Sequence, residues 1–326
     1  MFNVLISSAG RRVALMRTFR EALADLALEG EVLAVDMSTL SSAFQLADRA
    51  WTVPRCTDEA FIPEMLALCE RERVGLVIPT IDTELATWAA HRERFAAIGT
   101  TVAISAPETV AIAADKIATH RWLTAEGLPT VTQGSPEEVL ANPDSWPYPL
   151  IAKPVAGSCS VGVHLVGDAE ELRTVSRGEP YIVQGVAPGV EYTVSMLVDR
   201  SGKVVSAVPR ERLEVRNGEV FKARAVREPA LMALASTVGE RLPGAYGAMN
   251  VQIFHDAQTG EMNIIEVNPR FGGGYPLAFQ AGARYSTWLI EDALGLPSTA
   301  TDDWQDGLVM LRYDDAVFVP PGEVSG

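Results

Sequence analysis

Along its first hundred residues the chain alternates short unbroken apolar runs with segments whose apolar positions recur every three or four residues. NVLI, from Asn3, reads as a buried strand entering the glycine-containing turn SSAG, and Val13, Leu15, Met16, Phe19, Leu23 and Leu26 then keep helical spacing. EVLAVD is a second strand, ending on Asp36, and GLVIPT is a later one, followed by Asp82 and Glu84. Strands that alternate with helices predict a doubly wound parallel sheet, an α/β unit. Ligands of such sheets lie where loops leave the C-terminal strand ends. Residues 7–12, Asp36 and residues 80–84 fall at those ends. SSAGRR lacks the GxGxxG spacing that brings backbone against a pyrophosphate, which sets a dinucleotide dehydrogenase behind other readings. Asp36 reads equally as a ribose-binding acid or a helix cap.

Near residue 108 the pattern changes. SAPETVAIAADKIATHRWLTAEGLPT predicts one helical segment closed by Gly127 and Pro129. YPLIAKPV is a strand with one lysine in an apolar run, GSCSVGV a small-residue loop, and VHLV another strand. EYTVSMLVD and KVVSAVPRERLEVR predict an antiparallel pair turning at Ser201 and Gly202, and MNVQIFHD and MNIIEVNP a second pair turning at AQTG. The second half is therefore α+β with antiparallel sheets. The expected division is 1–107, 108–186 and 187–326.

Composition adds boundaries. The chain has 326 residues, 48% of them hydrophobic and 21% charged, as in a folded soluble protein. A formal net charge of −15 argues against nucleic-acid or anionic-membrane partners. The cysteines Cys56, Cys69 and Cys159 form neither a disulfide framework nor a CxxC metal pair. No apolar run reaches the roughly 18 residues of a membrane span, and the order of apolar and basic residues in MFNVLISSAGRR is not that of a signal peptide. The expected location is cytoplasmic.

Chemistry concentrates in a few places. Lys153 in IAKPVAGSCSVGV is costly to bury without an anion, and a Gly/Ser loop able to wrap phosphates follows it; a surface lysine on an edge strand is the alternative. Asn250 and Gln252 share one strand face, as do Glu266 and Asn268 on the next strand. If the strands pair across AQTG, an oxygen-rich cluster forms of the kind Mg²⁺ prefers. Arg270 is placed to stabilise charge on a transferring phosphoryl group. The plainer reading of Asn268 and Pro269 is a strand end. Cys159 reads as a small loop residue, and the four histidines, His91, His120, His164 and His255, show no ligand spacing.

The ordered series DK (Asp115 and Lys116), AKP with its loop, IVQGVAPGVEYTV, NVQ and EVNPR resembles the ATP-grasp superfamily. It looks closest to single-copy members that resemble one half of the carbamoyl-phosphate synthase large subunit. The resemblance spans nearly the whole chain. It implies an N-terminal pre-ATP-grasp domain followed by a two-lobed ATP-grasp domain with antiparallel sheets, and ATP with Mg²⁺ or Mn²⁺ as cofactors. It further implies that Lys116 and Lys153 contact the ATP phosphates, with Gly157, Ser158, Ser160 and Gly162 in a lid loop. Val183, Gln184 and Val186 would receive adenine, and Glu191 the ribose hydroxyls. Gln252, Glu266 and Asn268 would hold metal, Arg270 would steady the phosphoryl group, and Lys222 would be a further phosphate contact. Gln184 stands where many members carry Glu, and Gln252 where many carry an acid.

The implied reaction is phosphorylation of a carboxylate to an acyl phosphate that an amine then displaces. Arg11 and Arg12 are candidates for a substrate carboxylate and Asp82 or Glu84 for an ammonium group, which would suit an amino acid. Gly273 and Gly274, in RFGGGYP, allow close approach of a ligand or simply form a tight loop. Small-molecule acids and amines are the expected partners, and a homodimer is an allowed assembly. Two other readings stay open: a carbamoyl-phosphate-synthase-like enzyme acting on bicarbonate or carbamate, and a nucleotide sensor without turnover.

Overall fold

Strand β1 (Asn3–Ile6) is buried at every position because it lies at the centre of a parallel sheet. The computed structural model describes residues 1–155, 161–178, 180–216, 218–322 and 324. After β1 come α1 (Val13–Asp25), β2 (Val32–Asp36), α2 (Ser42–Leu46), β3 (Arg49–Thr52), α3 (Phe61–Arg71), β4 (Val74–Ile78), α4 (Asp82–Ala96) and β5 (Thr101–Val102). The sheet order is β3-β2-β1-β4-β5, all parallel. The chain winds outward on one side of β1 and then resumes on the other. The crevice of this open sheet therefore opens between the ends of β1 and β4. Arg12, just before α1, and Asp82, the first residue of α4, stand on its two sides.

The helical segment expected across residues 108–127 is two helices, α5 (Pro107–Ala114) and α6 (Lys116–Ala125). Asp115 breaks it by taking an extended conformation and accepting the backbone N–H groups of Ile117 and Ala118. There follow β6 (Gln133–Gly134), α7 (Pro136–Ala141), β7 (Leu150–Pro154), β8 (His164–Val166), α8 (Ala169–Val175) and β9 (Tyr181–Gly185). These strands form an antiparallel sheet, β6-β9-β7-β8, with a small core of its own around Val139, Leu150, Leu172 and Val183.

The remaining elements are β10 (Val190–Val198), β11 (Val204–Arg216), β12 (Glu219–Ala225), α9 (Pro229–Arg241), β13 (Gly247–His255), β14 (Met262–Asn268), α10 (Tyr275–Ala281), α11 (Tyr285–Leu294) and β15 (Val309–Leu311). Their antiparallel sheet runs β14-β13-β10-β11-β12-β15. Both expected hairpins are present, in the register Gln252 opposite Glu266 and Thr193 opposite Arg210.

Period-2 alternation divides this sheet. Val194, Met196, Met249, Val251 and Ile253 pack with Leu231, Ala235 and Val238 of α9. On the other face, Leu197, Val208 and Ala248 join α10, α11 and the parallel sheet in one core with Phe19, Phe279 and Trp288. That core holds the parallel sheet beside the polar end of the same face.

Candidate active site

The polar end of the face is a cavity of about 300 Å³. Its walls include Glu191 and Thr193 from β10, Arg210 and Arg212 from β11, Asn250 and Gln252 from β13, and Glu266 and Asn268 from β14. Arg12, Arg270 and the glycines at 272–274 complete it.

One irregularity in β14 aims Glu266. Ile264 and Glu266 would share a face in a regular strand, yet Ile264 lies in the α9 core and Glu266 in the cavity. The register shifts between Gln252 and Ile253, leaving Ile265 as an extra residue. Such a bulge turns the following side chain to the opposite face. Glu266 takes no hydrogen bond or ion pair among the described residues. One carboxylate flanked by the amide oxygens of Gln252 and Asn268 fits Mg²⁺, which binds through one or two carboxylates and fills its shell with phosphate and water.

Lys153 enters from β7 and is 6% exposed. Burial pushes its ammonium down to about 8, an effect the Glu266 carboxylate opposes and Lys116 reinforces. These couplings bring Lys153, Lys116 and Glu266 into one neighbourhood across the two antiparallel sheets. Lys116, the first residue of α6, donates to the Val155 carbonyl at 3.3 Å. Val183 and Gln184 are buried on β9, where the Gln184 amide donates to Gln133 at 2.8 Å, while Val186 is exposed beyond the strand. Gly162, at φ +72°, is close enough to Pro154 that an added Cβ would sit 2.9 Å from its ring. Gly157, Ser158, Ser160 and Cys159 lie outside the described residues.

Arg270 and Asp82 meet across the crevice in a two-pronged ion pair, 2.6 Å on each arm. Arg12 donates to the Thr80 carbonyl at 3.1 Å. Burial, and then Arg270, lower its guanidinium from the ordinary value. Glu191 pairs with the nearly buried Arg212. Arg11 points outward to Glu219 at 3.0 Å. Asp36 is not a helix cap: its carboxylate accepts the backbone N–H of Gly10 at 2.7 Å and braces the turn after β1.

Two expectations change. Glu84 is fully buried and cannot meet an ammonium group. It accepts from Ser7 at 2.5 Å, Ser8 at 3.0 Å, Trp88 at 3.0 Å and the backbone N–H groups of Thr80 and Ile81. It ties the loops after β1 and β4 together. Lys222 pairs with Glu214 at 2.6 Å on β12, apart from the residues that line the cavity. Sequence reading missed Arg210, Arg212 and Thr193. The signal available was PRER, two arginines at strand period directly after an apolar run.

An oxygen-rich wall on one antiparallel sheet, with Lys153 from the other antiparallel sheet and Lys116 from α6 close by and a parallel domain alongside, makes a site of the nucleotide-clamping kind. Residues 113–274 match the ATP-grasp domain model and residues 4–103 the PylC-like N-terminal domain model. The chain is 34% identical over 210 residues to a D-alanine–D-alanine ligase of Gluconobacter oxydans, covering 56% of this chain and 69% of that protein. It is 26% identical to the N-terminal section of the carbamoyl phosphate synthase large chain of Methanopyrus kandleri, covering 91% of this chain and 56% of that protein.

In fold it resembles an ADP complex of N5-carboxyaminoimidazole ribonucleotide synthetase, with a TM-score of 0.75 and 19% identity over 95% of this chain and 81% of that one. It also resembles the biotin carboxylase domain of Hydrogenobacter thermophilus 2-oxoglutarate carboxylase, with a TM-score of 0.73 and 18% identity over 95% of this chain and 73% of that one. The chain belongs to the ATP-grasp family. It is an ATP- and Mg²⁺-dependent, ADP-forming enzyme of the carboxylate–amine ligase kind. Among the described residues, no helix is long and apolar enough to cross a membrane.

Proposed function

We propose that the protein activates a small carboxylate as its acyl phosphate and joins it to the amine of an amino acid or similar small molecule. The observation that carries this reading is the Glu266 face. One carboxylate and two amides lie near Lys153, with Lys116 beside that lysine, and an arginine and an aspartate stand at the substrate end. In this reading residues 1–107, 108–186 and 187–326 are the three structural units, and ATP lies between the last two.

Glu266, Asn268 and Gln252 would hold Mg²⁺, which would supply positive charge against the phosphates, and Lys116 and Lys153 would bind those phosphates. Arg270 orients the transferring group, and Asp82 and Arg12 receive the amine and carboxylate of the second substrate. A carboxylate oxygen attacks the γ-phosphorus and the bond to ADP breaks. The neutral amine nitrogen then attacks the acyl carbon, phosphate leaves with that oxygen, and the proton lost from nitrogen ends on the departing phosphate. Exclusion of water protects the acyl phosphate from hydrolysis.

The test is ADP release against a panel of amino acids and small carboxylates, with products identified by mass. Substrate-dependent ADP with a new amide supports the reading, whereas hydrolysis indifferent to every substrate contradicts it. Glu266→Gln should lower that turnover by at least about 100-fold at any substrate concentration, because it removes the one metal-binding charge. The match to carbamoyl phosphate synthase along most of the chain favours a second reading, phosphorylation of bicarbonate. A bicarbonate arm of the same panel distinguishes the two.

A further inference from the structure

Two arginines of the cavity make no direct ion pair among the described residues, although Glu219 and Asp82 act on Arg12 through space. Arg210 is 5% exposed. One of its terminal nitrogens donates to Ser195 and another reaches Asn250 Oδ1 at 3.4 Å, both neutral, while its buried Nε–H has no partner among the described residues. Arg12 donates only to a neutral carbonyl. Among the described residues neither guanidinium has a carboxylate oxygen within 4.0 Å, although Arg212, Arg270 and Arg312 nearby each have one. A buried cation with no carboxylate against it, as at Arg210, is expensive to keep. Burial accordingly pushes Arg210 down to about 10.

The glycine run links these two charges. A Cβ on Gly274 would lie 2.5 Å from Arg210 Nε, and one on Gly273 would lie 3.5 Å from Arg12 Nη1. Any side chain at 274 would collide with the Arg210 guanidinium, whereas one at 273 would make only ordinary contact with Arg12 and, at 3.6 Å, with Glu219. The bare backbone at 274 lets the chain pass close against Arg210, and both arginines line the cavity.

We propose that Arg210 and Arg12 form the seat for a carboxylate of the small-molecule substrate, one that is bound and not phosphorylated. Calling that molecule a substrate rests on the ligase reading above. Arg210 stands on β11, three strands from the β14 that carries Glu266, and its guanidinium extends as far as Asn250 on β13. Arg12 enters from the parallel sheet and not from the lobe that carries Lys153. A cavity of about 300 Å³ suits a small acid.

The test uses the full chain without turnover. Thermal midpoints and calorimetric affinities are measured for wild type, Arg210→Met and Gly274→Ala with malonate, alanine and inorganic phosphate, and separately with MgADP. Arg210→Met should fold with a midpoint at or above that of wild type, since a buried unpaired charge gives way to an apolar chain. It should bind whichever carboxylate wild type binds at least about tenfold more weakly, the worth of one charge-assisted hydrogen bond. Gly274→Ala, which lays a methyl on Nε, should lose the carboxylate similarly, and it carries the test if Arg210→Met does not fold. MgADP affinity should stay unchanged in both.

Equal carboxylate binding by wild type and variants overturns the proposal, as does a wild type that neither malonate nor alanine stabilises. Loss of MgADP or phosphate binding with carboxylate binding intact would assign the seat to the nucleotide. Failure of the ligase reading would appear instead as absent substrate-dependent ADP and would leave these affinities standing.

Discussion

Lys153 is an ammonium set into an apolar strand, and its proton reports on the site. The folded chain holds that proton less tightly than the unfolded chain does, because burial has brought Lys153 down to about 8. Stability therefore rises with pH from about 8 up to the ordinary lysine range, where both states are neutral. Phosphate binding moves the other way, since it needs the cation. ADP affinity, measured calorimetrically, should fall about tenfold between about pH 7 and pH 9 in wild type, and Lys153→Met should bind weakly with no such slope. A flat wild-type profile would detach Lys153 from the phosphates. Glu84 serves structure instead. Glu84→Gln should cost about 2 kcal/mol in urea unfolding by leaving buried donors unmatched, with substrate KM unchanged. Unaltered stability with a raised KM would return it to the binding site.

At the scale of elements, the bulge at Ile265 and the pair joining α4 to the end of β14 decide which groups face the ligand. Alternation along NVQ and EVN correctly placed Gln252 with Asn250 and Glu266 with Asn268, because each short segment is regular within itself. It could not reveal that Ile264 and Glu266 point oppositely, since a bulge leaves little mark in composition. Lys153 was legible because a charge inside an apolar run is costly. Arg210 was not, because its burial depends on α10 and the glycine run, which arrive from sixty residues away. Glu84 looked ligand-ready beside Asp82, and only the packing of Ser7, Thr80 and Trp88 around it shows otherwise. Asp82→Asn should free Arg270 and raise the KM of the amine substrate about tenfold, leaving ADP affinity unchanged. Steady-state kinetics in both substrates checks this, and an unmoved KM for every substrate would remove Asp82 from recognition.

For the whole molecule, the arrangement follows from what each face must bury. One side of the six-stranded sheet is covered by α9, and half of the other joins the parallel sheet through α10 and α11. The uncovered half is polar and faces the four-stranded sheet that carries Lys153. Phosphates thus lie between two antiparallel sheets and substrate between the second sheet and the parallel crevice, so that the reacting oxygen meets phosphorus beside Glu266 and Arg270. The account stands on transfer of the γ-phosphoryl group to a carboxylate. It is tested most directly with an acid substrate whose carboxylate is labelled with ¹⁸O, by mass analysis of the phosphate released with ADP. The predicted result is one labelled oxygen in each phosphate formed, lost together with turnover in Glu266→Gln. Unlabelled phosphate accompanying amide formation would contradict it.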